Sequence, residues 1–103
     1  MVQLSLAAVA AAAILAPPIV EIEEDVYTYV APDNGSGPLW CRGSTCIVRS
    51  GGRVFVSGTE TVEDVPPLNN VRWTLWTRDD DGWRLVHRDT EELTREPSPL
   101  VNL

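Results

Sequence analysis

Apolar and polar residues alternate in short runs along most of the chain. A period of two residues is typical of β-strands, whose successive side chains point to opposite faces of the sheet. Four such runs are rich in β-branched and aromatic residues: 45–49, 53–59, 72–78 and 83–88. Gly51 and Gly52 separate the first two runs, and three aspartates followed by Gly82 separate the last two. Both compositions are typical of tight turns. The pattern therefore predicts two β-hairpins in succession, in meander order.

The segments around the hairpins favour strand or loop. Residues 26–30 are all β-branched or aromatic and predict a short N-terminal strand, and residues 31–38 have the Gly and Pro content of an irregular loop. The connection 60–71 carries Pro66 and Pro67, which exclude both a helix and a central strand. No run after the first 20 residues places apolar side chains at helical spacing over three turns, so the expected fold class is all-β.

Both sides of the expected sheet carry large apolar side chains. In the run 72–78, Trp73 and Leu75 point to one side and Trp76 to the other. Phe55 likewise lies between valines that point away from it. A sheet with one face in water alternates more regularly, so this sheet requires cover on both sides. A four-stranded meander of this kind is the unit of a β-propeller, whose blades pack between their neighbours.

A division of the chain follows from this unit. Residues 1–20 form an apolar leader, and 21–44 hold the N-terminal strand and its loop. Residues 45–89 form a single propeller blade. The segment 90–103 is polar and proline-containing before it ends in Leu-Val-Asn-Leu, and it predicts the connection to a second, missing blade. Because repeats of this kind become stable only when about three or more stack, we expect a fragment of a larger propeller.

Charge is distributed unevenly along the chain. Eight arginines and no lysine stand against fifteen Asp and Glu, giving a net charge of −7, yet residues 1–20 carry no charged side chain. The apolar run 4–15 has the length of a signal-peptide core, about 7–15 residues, and is short for a membrane span of about 20. We expect a protein exported to the periplasm or the extracellular medium, without a membrane span once the leader is removed. An uncleaved anchor and a buried apolar strand or helix are the alternatives.

The acidity of the chain limits its partners. An excess of carboxylates repels phosphate backbones and anionic lipid surfaces, so a nucleic acid is not an expected partner. The sequence also indicates no cofactor.

The two cysteines, Cys41 and Cys46, are separated by four residues that include Gly43. In an oxidising compartment such a pair can close a small disulfide ring, and the glycine permits the turn that the ring requires. Two buried free thiols are the main alternative. A zinc site is disfavoured because two thiolates supply half of a tetrahedral shell and the only histidine, His87, lies far along the chain.

Four stretches resemble the N-terminal part of exported bacterial β-propellers of the sialidase-like, BNR-repeat type. They are YTYVAPDNGSGPLWCRGSTC at 27–46, GRVFVSGTET at 52–61, LNNVRW at 68–73 and TREPSPL at 94–100. The resemblance implies one blade of a six-bladed propeller that binds or processes carbohydrate outside the cytoplasm.

The resemblance supplies no catalytic set. Sialidases carry an Arg-Ile-Pro element on their first inner strand, where this chain reads GSTCIVR at 43–49. Their aspartate box, S-x-D-x-G-x-x-W, is echoed by TRDDDGW at 77–83 with the glycine displaced by one position. We therefore assign no catalytic residue, and a hydrolase activity could belong only to the whole parent protein.

Candidate ligand contacts fall in the loop that would enter the innermost strand, which in propellers opens on the axial funnel. The candidates are Asp33, Asn34, Trp40, Arg42 and Ser44. Tryptophan, arginine and asparagine are the side chains that stack on sugars and hydrogen-bond their hydroxyl and carboxylate groups. The alternative is that Trp40 packs on the disulfide ring and Arg42 is solvated.

Other chemically suggestive residues have plainer explanations. The acidic sequence 79–82 lacks the spaced ligands of a calcium loop and is a solvated hairpin turn. Glu60, Glu63 and Asp64 sit in a loop with no partner to make a glycosidase pair. His87 has no assignable nucleophile and is expected on an edge strand against aromatic rings, on the side of Trp83 and Leu85.

Two hypotheses of different class remain. The first is an N-terminal fragment of an exported propeller, inactive alone, whose parent binds or cleaves a glycan. The second is a self-contained small exported β module, stapled by Cys41 and Cys46, with a binding or structural role. Size favours the first, since a sheet of four or five strands with two apolar faces would leave Trp73 and Trp76 incompletely covered.

Overall fold

A computed structural model of the chain describes residues 16–37 and 45–103. Its core element is one four-stranded antiparallel sheet in the order β1-β2-β3-β4. The strands are β1 (Ile47–Ser50), β2 (Arg53–Thr61), β3 (Val71–Asp79) and β4 (Gly82–Arg88). The described ranges contain no helix. The predicted all-β class and the four-stranded antiparallel meander are confirmed.

The two hairpin turns form where the sequence placed them. Gly51 and Gly52 both have positive φ, 56° and 77°, as the two central residues of a type I′ hairpin turn require. In the second hairpin the Asp81 amide donates to the Asp79 carboxylate at 3.0 Å, and Gly82 has φ 112°. The acidic sequence therefore serves as a turn, which agrees with the plainer interpretation of it.

A β-bulge changes the side assignment of β4. Leu75 pairs with His87 while Trp76 pairs with Leu85, so Val86 is the extra residue. Paired residues share a face of the sheet, so Leu85 lies on the Trp76 side and His87 on the Leu75 side. The expectation that His87 shares a side with Leu85 is wrong, because strict alternation does not survive the bulge.

The predicted N-terminal strand over 26–30 is not formed. Residues 22–30, which we call the strap, cross one face of the sheet as coil. Within the described part of the chain, no backbone–backbone hydrogen bond joins the strap to a strand. Contacts that involve side chains hold it instead, so the β-branched and aromatic residues of 26–30 pack on the sheet without joining it as a strand.

The strap covers one of the two faces of the sheet and leaves the other uncrossed. The strap face, which it crosses, carries Val54, Val56, Gly58, Trp76, Arg78 and Trp83. The open face, on the other side, carries Phe55, Ser57, Trp73, Leu75 and His87. The strap runs from the β3–β4 turn toward the end of β2, since Glu24 contacts Arg78 and Val30 contacts Thr61.

Very little apolar surface is fully buried. Val71, at 1% exposure, is the one hydrophobic residue of the described ranges that counts as core. The buried polar residues are Ser57, Thr59, Thr74 and Thr77 of the sheet, with Asn34 and Asn70 outside its centre. The large side chains of both faces, Trp73 and Trp76 among them, are only half-buried.

The C-terminal segment is tied to the sheet at separate points. Val71 and Thr94 exchange backbone hydrogen bonds of 3.0 and 2.8 Å beside β3. Farther along, the Leu100 amide donates to the Thr45 carbonyl at 2.7 Å just before β1. The described residues include no helix that is long and apolar enough to cross a membrane.

Candidate functional site

An open groove of about 920 Å³ runs between the strap and the sheet near the β3–β4 turn. Its apolar lining includes Ile22, Val26, Ile47 and Val54. Charged side chains line it as well: Glu23, Glu24, Arg49, Arg78, Asp79 and Asp80. A groove with apolar walls and a few convergent polar groups is the usual form of a binding site.

The Glu24 carboxylate is held at one end of this groove by three donors. The Arg78 guanidinium pairs with both of its oxygens, through Nε to Oε1 and through Nη2 to Oε2 at 3.3 Å. The Trp83 indole N–H donates to Oε1 at 2.9 Å. An arginine fork is the geometry that matches a carboxylate, and the hydrogen bonds from Arg78 lower the pKa of Glu24.

Tyr27 occupies the middle of the strap face. Its ring stacks on the Trp76 indole with centroids 5.5 Å apart and an interplanar angle of 11°. The Tyr27 hydroxyl accepts a hydrogen bond of 3.3 Å from the Thr59 amide. Burial raises the pKa of the Tyr27 phenol, because the stacked position disfavours the phenolate.

The strap contacts recur every three residues. Glu24 binds Arg78, Tyr27 stacks on Trp76, and the Val30 carbonyl accepts from the Thr61 hydroxyl. Three residues per turn is the period of the polyproline II helix, whereas a strand repeats every two. The strap therefore docks as an extended segment on an aromatic surface, not as a fifth strand.

Four of the residues predicted from sequence lie outside the described residues. They are Trp40, Cys41, Arg42 and Ser44. Cys46 is half-buried and carries no disulfide within the described ranges. The Cys41–Cys46 pairing and the ligand roles of Trp40, Arg42 and Ser44 stay predictions.

Asp33 and Asn34 lie next to each other but differ in setting. Asp33 is exposed and has a positive φ of 50°, which aspartate tolerates better than most residues. Asn34 is 4% exposed, and its amide donates to the Asn70 carboxamide at 2.9 Å and to the Leu68 and Arg95 carbonyls at 3.2 Å each. Its oxygen accepts from the amide and hydroxyl of Ser36 at 2.9 Å each.

The contacts of Asn34 are those of a structural residue. They join the 31–37 loop, the connection before β3 and the C-terminal segment in one buried network. Asn70 extends this network by donating to the Pro32 carbonyl at 2.8 Å. The ligand role predicted for Asn34 and Asp33 stays untested.

The remaining candidates show no assembled chemistry. His87 packs its ring 5.4 Å from that of Trp73, on an exposed strand at the edge of the sheet. Glu60 belongs to the end of β2, not to a loop, and forms an ion pair of 2.7 Å with Arg88. Within 16–37 and 45–103, no three His, Cys, Asp or Glu side chains come together as metal ligands would.

Comparison of the chain with protein-family models, curated proteins and solved structures finds no match.

The strap face is the best-formed site among the described residues, because its side chains contact one another directly. The sequence did not predict it. The site joins two distant parts of the chain. Glu24 and Tyr27 come about 50 residues before Trp76, Arg78 and Trp83. The one available signal was the acidic-aromatic sequence 21–30, whose Glu and Tyr are three residues apart.

Proposed function

We propose that this chain is a non-catalytic β-sheet unit of an exported propeller related to the sialidase-like, BNR-repeat proteins, and that its parent binds or processes carbohydrate. The observation that carries the proposal is the poor cover of a sheet with two apolar faces. Val71 is the one buried hydrophobic residue of the described part of the chain, and Ile47 and Val86 are 56% and 44% exposed. A sheet of this kind gains most of its stability from neighbours on each side.

The geometry supports a binding role more than a catalytic one. Three described arginines are committed to ion pairs: Arg78 with Glu24, Arg84 with Asp79 at 2.9 Å, and Arg88 with Glu60 at 2.7 Å. Of the carboxylates that line the groove, Glu24 is bound by Arg78 and Asp79 by Arg84, which favours structural roles for these two groups. In this proposal Trp40 and Arg42 supply the ligand contacts, and the leader at 1–20 directs export.

A second candidate function is a self-contained small exported binding module. The strap favours it, because this segment covers part of one face with groups of the same chain. Hydrogen bonds at Val71 and Thr45 also fix the C-terminal segment to the sheet. The two candidates differ in whether the sheet is stable alone.

Thermal unfolding of residues 21–103 separates the candidates. The propeller-unit proposal expects a broad, non-cooperative transition and self-association in sedimentation velocity, because exposed faces find other copies. A monomer with a sharp transition and dispersed amide resonances would overturn it and support the self-contained module.

The carbohydrate part has its own test. The ¹⁵N-labelled chain is titrated with sialyllactose, with lactose as the neutral matched control, while the Trp40 indole resonance is followed. A saturable shift that disappears in Arg42→Ala is expected. If no indole resonance responds to either sugar, the ligand role of this loop is refuted.

A further inference from the structure

The strap and the strap face have the properties of a bound peptide and its receptor. Within the described residues no backbone–backbone hydrogen bond joins the strap to the sheet, and every anchor involves a side chain. The receptor groups all stand on strands: Trp76 and Arg78 on β3, Gly58 on β2 and Trp83 on β4. Strands hold these groups in place whether or not the strap is bound, so the surface is preorganised for an extended segment.

Two subsites define what this surface accepts. The first is the carboxylate cradle, formed by the Arg78 guanidinium and the Trp83 indole N–H around Glu24. The second is the aromatic shelf, formed by the Trp76 indole and by Gly58, whose lack of a side chain admits the Tyr27 ring. The two strap residues bound there are three positions apart, which an extended chain of period three places on one side.

Charge at the cradle suits a carboxylate. The sequence 21–25 contains four carboxylates, and the sheet side of the groove presents Arg49 and Arg78 beside Asp79 and Asp80. Arg78 is the residue whose two donors meet the bound carboxylate. The fit of the Arg78 fork to one carboxylate, and not the overall charge of the surface, therefore gives the cradle its selectivity.

We propose that the strap face is a recognition site for an extended acidic peptide that carries a carboxylate and, three residues later, a tyrosine, and that the strap fills this site in cis. Extended segments that dock on aromatic grooves are an established mode of peptide recognition. A partner with the same Glu-x-x-Tyr spacing competes with the strap for the cradle and the shelf. The proposal does not depend on the carbohydrate role proposed above.

The test uses the full chain with its own strap weakened by Glu24→Ala and Tyr27→Ala together. The ¹⁵N-labelled double variant is titrated with a synthetic peptide of sequence EIEEDVYTYV, which is residues 21–30. We expect saturable shifts of the Trp83 and Trp76 indole N–H resonances. The matched control peptide carries Glu24→Gln and Tyr27→Ala, and its affinity should be lower by about tenfold or more, because it lacks a charge-assisted hydrogen bond and an aromatic stack.

Two results would overturn the proposal. One is the absence of indole shifts although far-ultraviolet circular dichroism shows that the double variant keeps its sheet. The other is equal binding of both peptides, which would show apolar adhesion without recognition of the carboxylate and the tyrosine.

If the double variant loses its sheet, the proposal is tested on the wild-type chain instead. The same two peptides, each with a nitroxide label at the N-terminus, are added in excess to the wild-type chain. The native peptide should broaden the Trp83 indole resonance through transient exchange with the strap. Broadening no greater than that caused by the control peptide would refute the site.

Discussion

The Tyr27 ring lies parallel to the Trp76 indole at a centroid distance of 5.5 Å, and it does so directly over Gly58. A Cβ atom at Gly58 would come within 2.8 Å of two Tyr27 ring carbons and of the Thr74 hydroxyl. Thr74 is itself engaged, because its hydroxyl accepts from the Trp76 indole N–H at 3.0 Å. The absence of a side chain at one position of β2 therefore decides how the strap packs.

Gly58→Ala should displace the strap from the sheet. The added methyl group forces the Tyr27 ring away from Trp76, and overpacking of this kind costs about 1–3 kcal/mol of unfolding free energy. Urea unfolding followed by tryptophan fluorescence measures the loss. Gly37→Ala is the matched control, since a Cβ there meets nothing within 4 Å. Equal losses in the two variants would show that the contact over Gly58 does not matter.

The four strands could be predicted from the sequence because their signals are local. Gly51 and Gly52 define one turn, Asp79 and Gly82 the other, and β-branched residues fill the runs between them. A period of two also assigned most side chains to the correct face. It failed at His87, because the bulge at Val86 depends on the pairing with β3 and has no signature in β4 alone.

The strap contacts could not be predicted in this way. Glu24 and Arg78 are 54 positions apart, and the sequence around one residue does not indicate that it contacts the other. The β-branched and aromatic residues of 26–30 are typical of a strand, yet the residues with recorded contacts to the sheet recur every three positions. Long-range side-chain anchoring prevailed over local β-propensity, which is a weak preference for a segment without a ladder partner.

The strap attachment should weaken in acid. Glu24 has a pKa below its ordinary value of 4.5, with the hydrogen bonds from Arg78 as the main cause. A carboxyl whose pKa is lower in the folded state contributes stability above its unfolded pKa, and this contribution is lost as the pH falls through the folded pKa. The Trp83 indole N–H resonance should shift with a midpoint below 4.5, because its acceptor is the titrating group.

Arg78→Gln is the control for this titration. Without the guanidinium the midpoint should return toward the ordinary range, while the direction of the indole shift stays the same. A midpoint identical in the two proteins would contradict the assignment of the lowered pKa to the Arg78 contact.

The proposal that the chain is exported predicts a Cys41–Cys46 disulfide. A ring this small restricts few conformations of the unfolded chain, so its expected contribution is about 2 kcal/mol in the chain-entropy model. Intact mass with and without reductant should differ by two hydrogens, and Cys41→Ser with Cys46→Ser should abolish the difference. Material taken from the periplasm that shows no difference would refute the pairing.

The buried network around Asn34 should be the most sensitive polar feature outside the sheet. Asn34→Asp keeps the size of the side chain and its acceptor for Ser36 but removes the N–H donors. A carboxylate oxygen would then face the acceptors of Leu68, Asn70 and Arg95 in a position that is 4% exposed. Burying acceptors without donors costs about 2 kcal/mol or more.

Asn69→Asp is the matched control for this substitution, because it makes the same chemical change at an exposed neighbour of Asn70. Its expected effect is within about 0.5 kcal/mol. Hydrogen exchange adds a second measurement: the Thr94 and Val71 amides, which bond each other's carbonyls, should lose protection in Asn34→Asp and keep it in Asn69→Asp. Because Asn34 binds the Arg95 carbonyl next to Thr94, unchanged protection in both variants would show that the C-terminal segment docks independently of the 31–37 loop.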